Sequence, residues 1–159
     1  MSEYAIIRDA DKSSEIAFQS VVSILRGLKE HGFDEPIPNR IGNYEENAVR
    51  RVGVFIMPGN QAEGMLEDLC LQTVAEHPVM ECVKGYFSCL SEVLVLKSPG
   101  EPREIGKYYF PKNPSKARAQ AFLAGMYDNV ASVGLAAKKQ YWNFDHPVLA
   151  DLKAFLAEL

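Results

Sequence analysis

Residues Tyr4 to Asp11 read Tyr-Ala-Ile-Ile-Arg-Asp-Ala-Asp, an apolar run that ends in two carboxylates one position apart. Such a run, followed at once by a helical pattern, predicts a strand buried in a parallel sheet. Ligands of open α/β sheets bind at the carboxyl ends of the strands, where Asp9 and Asp11 are expected to lie. If the chain stays extended, both side chains point to the same side, and they repel each other unless a cation lies between them.

Two interpretations of the D-x-D pair remain open at this point. Hard oxygen ligands at a strand end favour Mg²⁺, which keeps several waters and needs only one or two protein carboxylates. Aspartate is equally favoured at a helix N-terminus, where it accepts hydrogen bonds from free N–H groups. The pair alone does not decide between a metal site and a helix cap.

The composition is that of an ordinary globular protein, and the chain is long enough for one domain. The chain has 159 residues, of which 47% are hydrophobic and 24% charged, and a net charge of −4. This charge argues against nucleic-acid binding by bulk electrostatics, although a local basic patch stays possible. Cys70, Cys82 and Cys89 form no C-x-x-C pair and lie among apolar residues, so we expect reduced thiols in the core of a cytoplasmic protein. No apolar run reaches membrane-spanning length, and no membrane association is expected.

The pattern after Asp11 predicts a strand–helix–strand unit. Ser13 or Ser14 is placed to cap a helix that Gly32 ends, and residues 33–47, rich in Pro, Gly and Asn, are expected to form a loop. Arg51 to Met57 reads as a second strand, and a connection of this length predicts a parallel crossover. The sequence therefore predicts an α/β fold with a small parallel sheet flanked by helices, and a helical C-terminal region.

Two further charged residues stand out at predicted helix starts. Glu67 lies just beyond the second strand and could share a crevice with Asp9 and Asp11, although an acid in a first turn is also favoured by the helix dipole. Lys116 and Arg118 bring positive charge to a helix start, where the dipole disfavours it. Such local conflicts tend to mark functional sites, but solvated surface charge is the alternative. Trp142 is expected to be a core anchor rather than a stacking platform.

Five motifs occur in a fixed order along the chain. They are Ile-Ile-Arg-Asp-Ala-Asp, Val-Gly-Val-Phe-Ile-Met-Pro-Gly-Asn, Gly-Met-Leu-Glu-Asp-Leu from Gly64, Lys-Ala-Arg-Ala-Gln-Ala from Lys116 and Tyr-Trp-Asn-Phe-Asp from Tyr141. Together they resemble an uncharacterised bacterial family of Toprim-like proteins related to the nuclease domains of OLD-type (overcoming lysogenisation defect) proteins. The resemblance covers nearly the whole chain and implies a single Toprim-like domain over residues 1–159.

The resemblance implies roles for four residues. Asp9 and Asp11 correspond to the D-x-D pair that holds Mg²⁺, and Glu67 resembles a second acidic site. Lys116 resembles the basic catalytic residue that stabilises phosphate charge in the OLD-type nucleases. The implied substrate is a nucleic acid or another phosphate-containing molecule.

Two departures from the Toprim pattern reduce the expected metal affinity. A Toprim domain has a strand–helix unit with a glutamate before the D-x-D strand, and this chain begins immediately before that strand. Gly59 also stands where an acidic residue is expected. We therefore expect an N-terminally shortened domain that binds Mg²⁺ weakly. The strand at Tyr4 would have an unpaired edge, covered in a homo-oligomer, unless the gene starts upstream of Met1.

Whether the chain is an enzyme is left open, with three interpretations. The first is a Mg²⁺-dependent phosphodiesterase or nuclease of the OLD type, with or without catalytic activity in this chain. The second is a non-enzymatic, Toprim-derived interaction module. The third is a haloacid-dehalogenase-like phosphatase with Asp9 as nucleophile and Asp11 as acid. Lys12-Ser13 departs from the continuation that this third family requires.

Overall fold

A computed structural model describes residues 2–60 and 63–159 of the chain. The chain divides into two compact units: one holds the chain up to Leu69 together with Phe144–Leu159, and the other holds Cys70–Asn143. The prediction of one domain over residues 1–159 stays a prediction. The strands are β1 (Ser2–Asp9), β2 (Tyr44–Glu46) and β3 (Arg50–Met57), and the helices are α1 (Ser14–Glu30), α2 (Leu66–Gln72), α3 (Pro78–Val93), α4 (Pro114–Ala124), α5 (Val133–Lys138) and α6 (Ala150–Leu156), the last preceded by a 3₁₀ turn (Pro147–Leu149).

The first unit contains a three-stranded mixed sheet in the order β1-β3-β2. β1 and β3 are parallel, and Asp9 lies opposite Met57 at their carboxyl ends. The predicted α/β class is therefore confirmed, but the predicted parallel sheet is mixed, because β2 pairs antiparallel with β3. β2 lies inside the segment predicted to be a loop. Its turn into β3 is formed by Asn47, whose Oδ1 accepts the N–H groups of Val49 and Arg50.

The two parallel strands differ in burial. Val52, Val54, Phe55 and Ile56 of β3 are completely buried. β1 lies at the edge of the sheet, and its residues are half-buried or exposed. The prediction that the Tyr4–Arg8 run is a buried strand was therefore wrong. An apolar run predicts a strand, but the position of that strand in the sheet depends on partners far away in the sequence.

α1 forms as the sequence predicts. The Oγ of Ser13 accepts the N–H of Ile16 at 3.2 Å and caps the helix. At the other end the chain leaves the helix through Gly32, whose φ of +87° favours glycine. Val21 and Leu25 on the buried face of α1 pack with Val54 of β3 in one apolar cluster.

α6 contributes to the first unit through aromatic contacts with the sheet. The ring of Phe155 stacks on Tyr44 with centroids 4.7 Å apart and meets Phe55 at 5.3 Å. The Tyr44 hydroxyl donates to the Phe155 carbonyl at 2.9 Å. Gly53 is required below this stack, because a Cβ there would lie 2.4 Å from the Tyr44 ring.

The second unit is helical. Phe122 and Trp142 stack with centroids 5.4 Å apart at the centre of its apolar cluster, and Trp142 Nε1 donates to the Val133 carbonyl. The prediction of Trp142 as a core anchor is confirmed. Cys82 and Cys89 are exposed and only Cys70 is partly buried, so the expectation of core thiols was wrong for the first two.

Among the helices of residues 2–60 and 63–159, none is both long and apolar enough to cross a membrane. The cytoplasmic location stays a prediction.

Candidate functional site

Asp9 is held at the end of β1 by the start of α2. Its Oδ1 accepts the N–H of Leu66, the first residue of that helix, at 2.9 Å. This hydrogen bond satisfies one of the free N–H groups of the helix start and fixes the orientation of the carboxylate. A carboxylate has about four lone-pair positions, so Oδ2 of Asp9 remains able to accept a further bond. Asp9 therefore acts as a cap and keeps one oxygen for a ligand.

Asp11 lies beyond the strand in a different backbone conformation. Its φ of +52° is in the left-handed region, so the extended geometry that would align the D-x-D side chains does not continue to this residue. Its backbone exchanges two hydrogen bonds with Gly64, of 2.8 and 2.9 Å, while its side chain is exposed. The D-x-D segment is thus attached to the segment that begins α2.

Glu67 follows Leu66 directly and is half-buried in the first turn of α2. The neighbouring Asp68, which the sequence reasoning did not assign, accepts the N–H of Met65 through Oδ2 at 2.9 Å. Gly64 has a φ of +127°, and a Cβ there would lie 2.9 Å from that same oxygen. The structure therefore brings Asp9 and Asp11 against the helix start that carries Glu67.

The loop after β3 carries no carboxylate at Gly59. Asn60, with a φ of +66°, accepts the N–H of Ile56 through Oδ1 at 2.8 Å. The asparagine of the Pro-Gly-Asn motif thus has a backbone role that closes the end of β3. The signal for this role was the turn-forming dipeptide Gly59-Asn60 itself.

The side chains at this end of the sheet are of the type that Mg²⁺ binds, but they are fewer than a metal site of three or more protein ligands requires. Carboxylate oxygens are the ligands that Mg²⁺ prefers, and water completes its octahedron. Within the described parts of the chain, no group of three or more His, Cys, Asp or Glu side chains is arranged to hold a metal ion.

Lys116 belongs to the second unit and the three acidic residues to the first. It lies in the first turn of α4, where its N–H donates to the capping Oδ1 of Asn113 at 3.0 Å. Its side chain is exposed, and no ion pair of the described residues includes it. Its proposed role rests on the resemblance alone.

A buried polar cluster at the opposite end of the sheet was missed by the sequence reasoning. Glu35 is only 5% exposed, forms an ion pair with Arg50 and accepts the hydroxyl of Tyr4 at 2.7 Å. Burial raises the pKa of Tyr4, and the positive charge of Arg50 lowers it by less. This cluster joins the starts of β1 and β3, and the segment that supplies Glu35 gave no sequence signal for it.

The comparisons with known proteins identify the family of the chain. Residues 1–159 match the family described as a protein of unknown function, DUF3226, and the chain belongs to that family. No curated protein matches the chain, and no solved structure matches it.

Proposed function

We propose that this protein is a Toprim-like domain of the OLD type that binds Mg²⁺ weakly and acts on phosphodiester bonds. The observation that carries the proposal is the attachment of the D-x-D segment to the start of α2. The backbone N–H of Leu66 donates a hydrogen bond to the Asp9 carboxylate, and two backbone hydrogen bonds join Asp11 and Gly64. These three bonds hold the two segments together. Three carboxylates from sequence positions 9, 11 and 67 therefore come from adjoining segments.

Each residue has a distinct part in the proposed chemistry. Mg²⁺ bound here would activate water and neutralise the charge of a phosphate. Asp9 is already oriented by the Leu66 N–H and offers its second oxygen, Asp11 offers an exposed carboxylate, and Glu67 is a further acidic side chain in the first turn of α2. Because the set of carboxylates is small, we expect binding in the millimolar range, about 4 kcal/mol.

Calorimetric titration with Mg²⁺ or Mn²⁺, followed by a nuclease assay with the same metals, tests the proposal. We expect weak binding by the wild-type protein and none by Asp11→Asn, with metal-dependent cleavage lost in the same variant. Asparagine tolerates the positive φ of Asp11, so the substitution removes charge without adding backbone strain. Asp151→Asn is the matched control, because Asp151 is an exposed aspartate of α6. Equal binding by the Asp11 and Asp151 variants would contradict the proposal.

A second candidate, an interaction module that forms a homo-oligomer, is favoured by the open edge of β1. The N–H groups of alternate residues of β1 point towards β3, so those of Glu3, Ala5 and Ile7 point away from it. No strand among the described residues pairs with that side. An open edge of this length is a template for pairing with another chain.

The surroundings of the edge are suited to a partner that is partly apolar. Ile16 and Ile24 on α1 are 72% and 59% exposed. Ser20 lies between them in sequence and accepts a hydrogen bond from Arg8 of β1 at 2.9 Å. We propose a second copy of the chain as the occupant, related by a two-fold axis. A register centred on Ala5 keeps Glu3 away from Asp9 of the second copy, whereas one centred on Ile6 places these like charges opposite each other.

Sedimentation equilibrium tests the second candidate. We expect a dimer at micromolar concentration, and Ala5→Pro, which removes an outward N–H at the centre of the edge, should give a monomer. Pro at position 4 is an unsuitable control because it would remove a bond to β3, so Ala5→Ser, which keeps the outward N–H, serves instead and should remain a dimer. A wild-type monomer at these concentrations would exclude the second copy as the occupant.

A further inference from the structure

The charges of the chain are separated along the sequence. Residues 95–118, which we call the basic segment, contain six Lys or Arg and two Glu, a net charge of +4. The rest of the chain has 11 Lys or Arg against 19 Asp or Glu, a net charge of −8, which accounts for the overall −4. A local excess of this size in an acidic protein attracts a polyanion even though the total charge opposes it. The basic segment lies entirely in the second unit.

Residues 95–110 of the basic segment form a loop whose ends are joined by backbone hydrogen bonds, and α4 begins within the rest of the segment. The N–H of Val95 donates to the Tyr108 carbonyl at 2.9 Å, and the N–H of Phe110 donates to the Val95 carbonyl at 3.0 Å. The Phe110 ring then packs edge-on against Phe87 of α3, with centroids 6.1 Å apart. The two ends of the loop are therefore held together and anchored to the helical core. A loop with joined ends and this length is a form that proteins often use for binding.

The positive side chains of the basic segment are largely available to a ligand. Arg103 and Lys112 are exposed, and no ion pair of the described residues includes either of them. Lys107 is bound to Glu104 at 2.6 Å, and Arg118 lies over the Phe87 ring at 5.0 Å. Arg103 and Lys112 thus carry charge that no acidic side chain of the described residues neutralises.

Apolar side chains are interleaved with these charges and are exposed. Tyr108 is 76% exposed, Ile105 is fully exposed and Leu96 is 79% exposed. An exposed tyrosine ring in a segment rich in Lys and Arg offers a flat surface on which an unstacked base can lie. In a duplex the base faces are covered by their neighbours, so this surface suits a single strand.

We propose that the basic segment is a binding surface for single-stranded nucleic acid, with Arg103 and Lys112 contacting phosphates and Tyr108 stacking on a base. The proposal goes beyond the acidic site of the first unit and needs no metal. It also names a substrate class for the proposed function, single-stranded nucleic acid. Binding to the basic segment and metal binding at the acidic site can be tested separately.

Fluorescence anisotropy with a labelled single-stranded oligonucleotide in EDTA tests this surface without metal-dependent cleavage. We expect binding that weakens with salt, and a salt slope smaller by about 1.4 in Arg103→Gln/Lys112→Gln, because each phosphate contact to a single strand contributes about 0.7. Arg26→Gln/Lys138→Gln is the matched control: both residues are exposed, lie outside the basic segment and belong to no ion pair of the described residues. Equal slopes in the two double variants would overturn the proposal.

Two further comparisons separate a nucleic acid from other polyanions. Tyr108→Ala should weaken binding about fivefold or more, whereas Tyr108→Phe should retain it, because stacking needs only the ring. Polyglutamate should compete poorly with the oligonucleotide, and a duplex should bind less tightly than the single strand. Equal competition by polyglutamate, or no effect of Tyr108→Ala, would show simple charge attraction and overturn the assignment to a single strand.

Discussion

β1 and β3 are neighbouring parallel strands of the same length, and both contain apolar runs, yet they have different roles. β3 has five buried residues and partners on both sides, whereas β1 has one strand partner among the described residues, and its own residues are half-buried or exposed. β3 stabilises the first unit, and β1 carries the acidic end and the open edge. The difference teaches that an apolar run is compatible both with a buried central strand and with an edge strand that has one unpaired side.

The largest effect that tests this difference comes from the same substitution in both strands. Ile56→Ala in β3 should lower the free energy of unfolding by about 3 kcal/mol, since Ile56 is completely buried. Ile7→Ala in β1 should cost about 1 kcal/mol, since Ile7 is 41% exposed. Urea denaturation of both variants measures the two values. Equal losses would show that the β1 edge is covered by another chain in solution.

A smaller loss is expected from the polar cluster that joins the starts of the two strands. Glu35→Gln leaves Arg50 without its buried partner and should cost about 2 kcal/mol. Glu46→Gln is the control: its side chain is 65% exposed and 3.9 Å from Arg51, so its loss should stay below about 0.5 kcal/mol. Thermal denaturation at neutral pH compares them. If Glu35→Gln were as stable as Glu46→Gln, the polar cluster would not contribute to holding β1 against β3.

Substitutions of the two aspartates at the carboxyl end of β1 should differ in their effect on the free energy of unfolding by about 1 kcal/mol. Asp9→Ala removes the acceptor of the Leu66 N–H and should destabilise the protein by about this amount, as loss of a helix cap does. Asp11→Asn should leave stability unchanged or slightly higher, because it removes charge near other carboxylates. Denaturation without metal measures both. A loss of several kcal/mol in Asp11→Asn would instead make Asp11 a structural residue.

The smallest effect is a dependence on alkaline pH at Tyr4. Its folded-state pKa is raised above the usual value near 10 by burial, so its contribution to stability is complete below that value and is lost as the pH rises through the folded pKa. Above pH 10, the free energy of unfolding of wild type should therefore rise less or fall more steeply with pH than that of Tyr4→Phe. Parallel curves for the two proteins would show that Tyr4 titrates alike in the folded and unfolded states.

Local signals in the sequence predicted a large part of the fold. Ser13 and Asn113 cap α1 and α4 as their residue types favour, and Gly32 ends α1. The run at Arg51 predicted β3 to within one residue. These features depend on neighbours a few positions away, which is why the pattern alone was sufficient.

Features that depend on distant residues could not be predicted. β2 lies in a Pro- and Gly-rich segment, and its pairing with β3 decides that the sheet is mixed. The sequence suggested Asp9 as a strand-end ligand or a cap, but the bond from Leu66 connects residues 57 positions apart. The buried Glu35 has no local signal, because its partners Tyr4 and Arg50 lie on two strands.

The central claim, that a divalent cation binds at the acidic end of β1, is tested most directly by Mn²⁺-induced line broadening in the amide NMR spectrum of the labelled protein. Mn²⁺ broadens the resonances of nearby amides, so it locates the bound ion without relying on activity. We expect selective broadening of residues 10–12 and 64–68, and its loss in Asp11→Asn. Broadening centred instead on the acidic side chains near Arg51, or equal broadening in the Asp11 variant, would contradict the account.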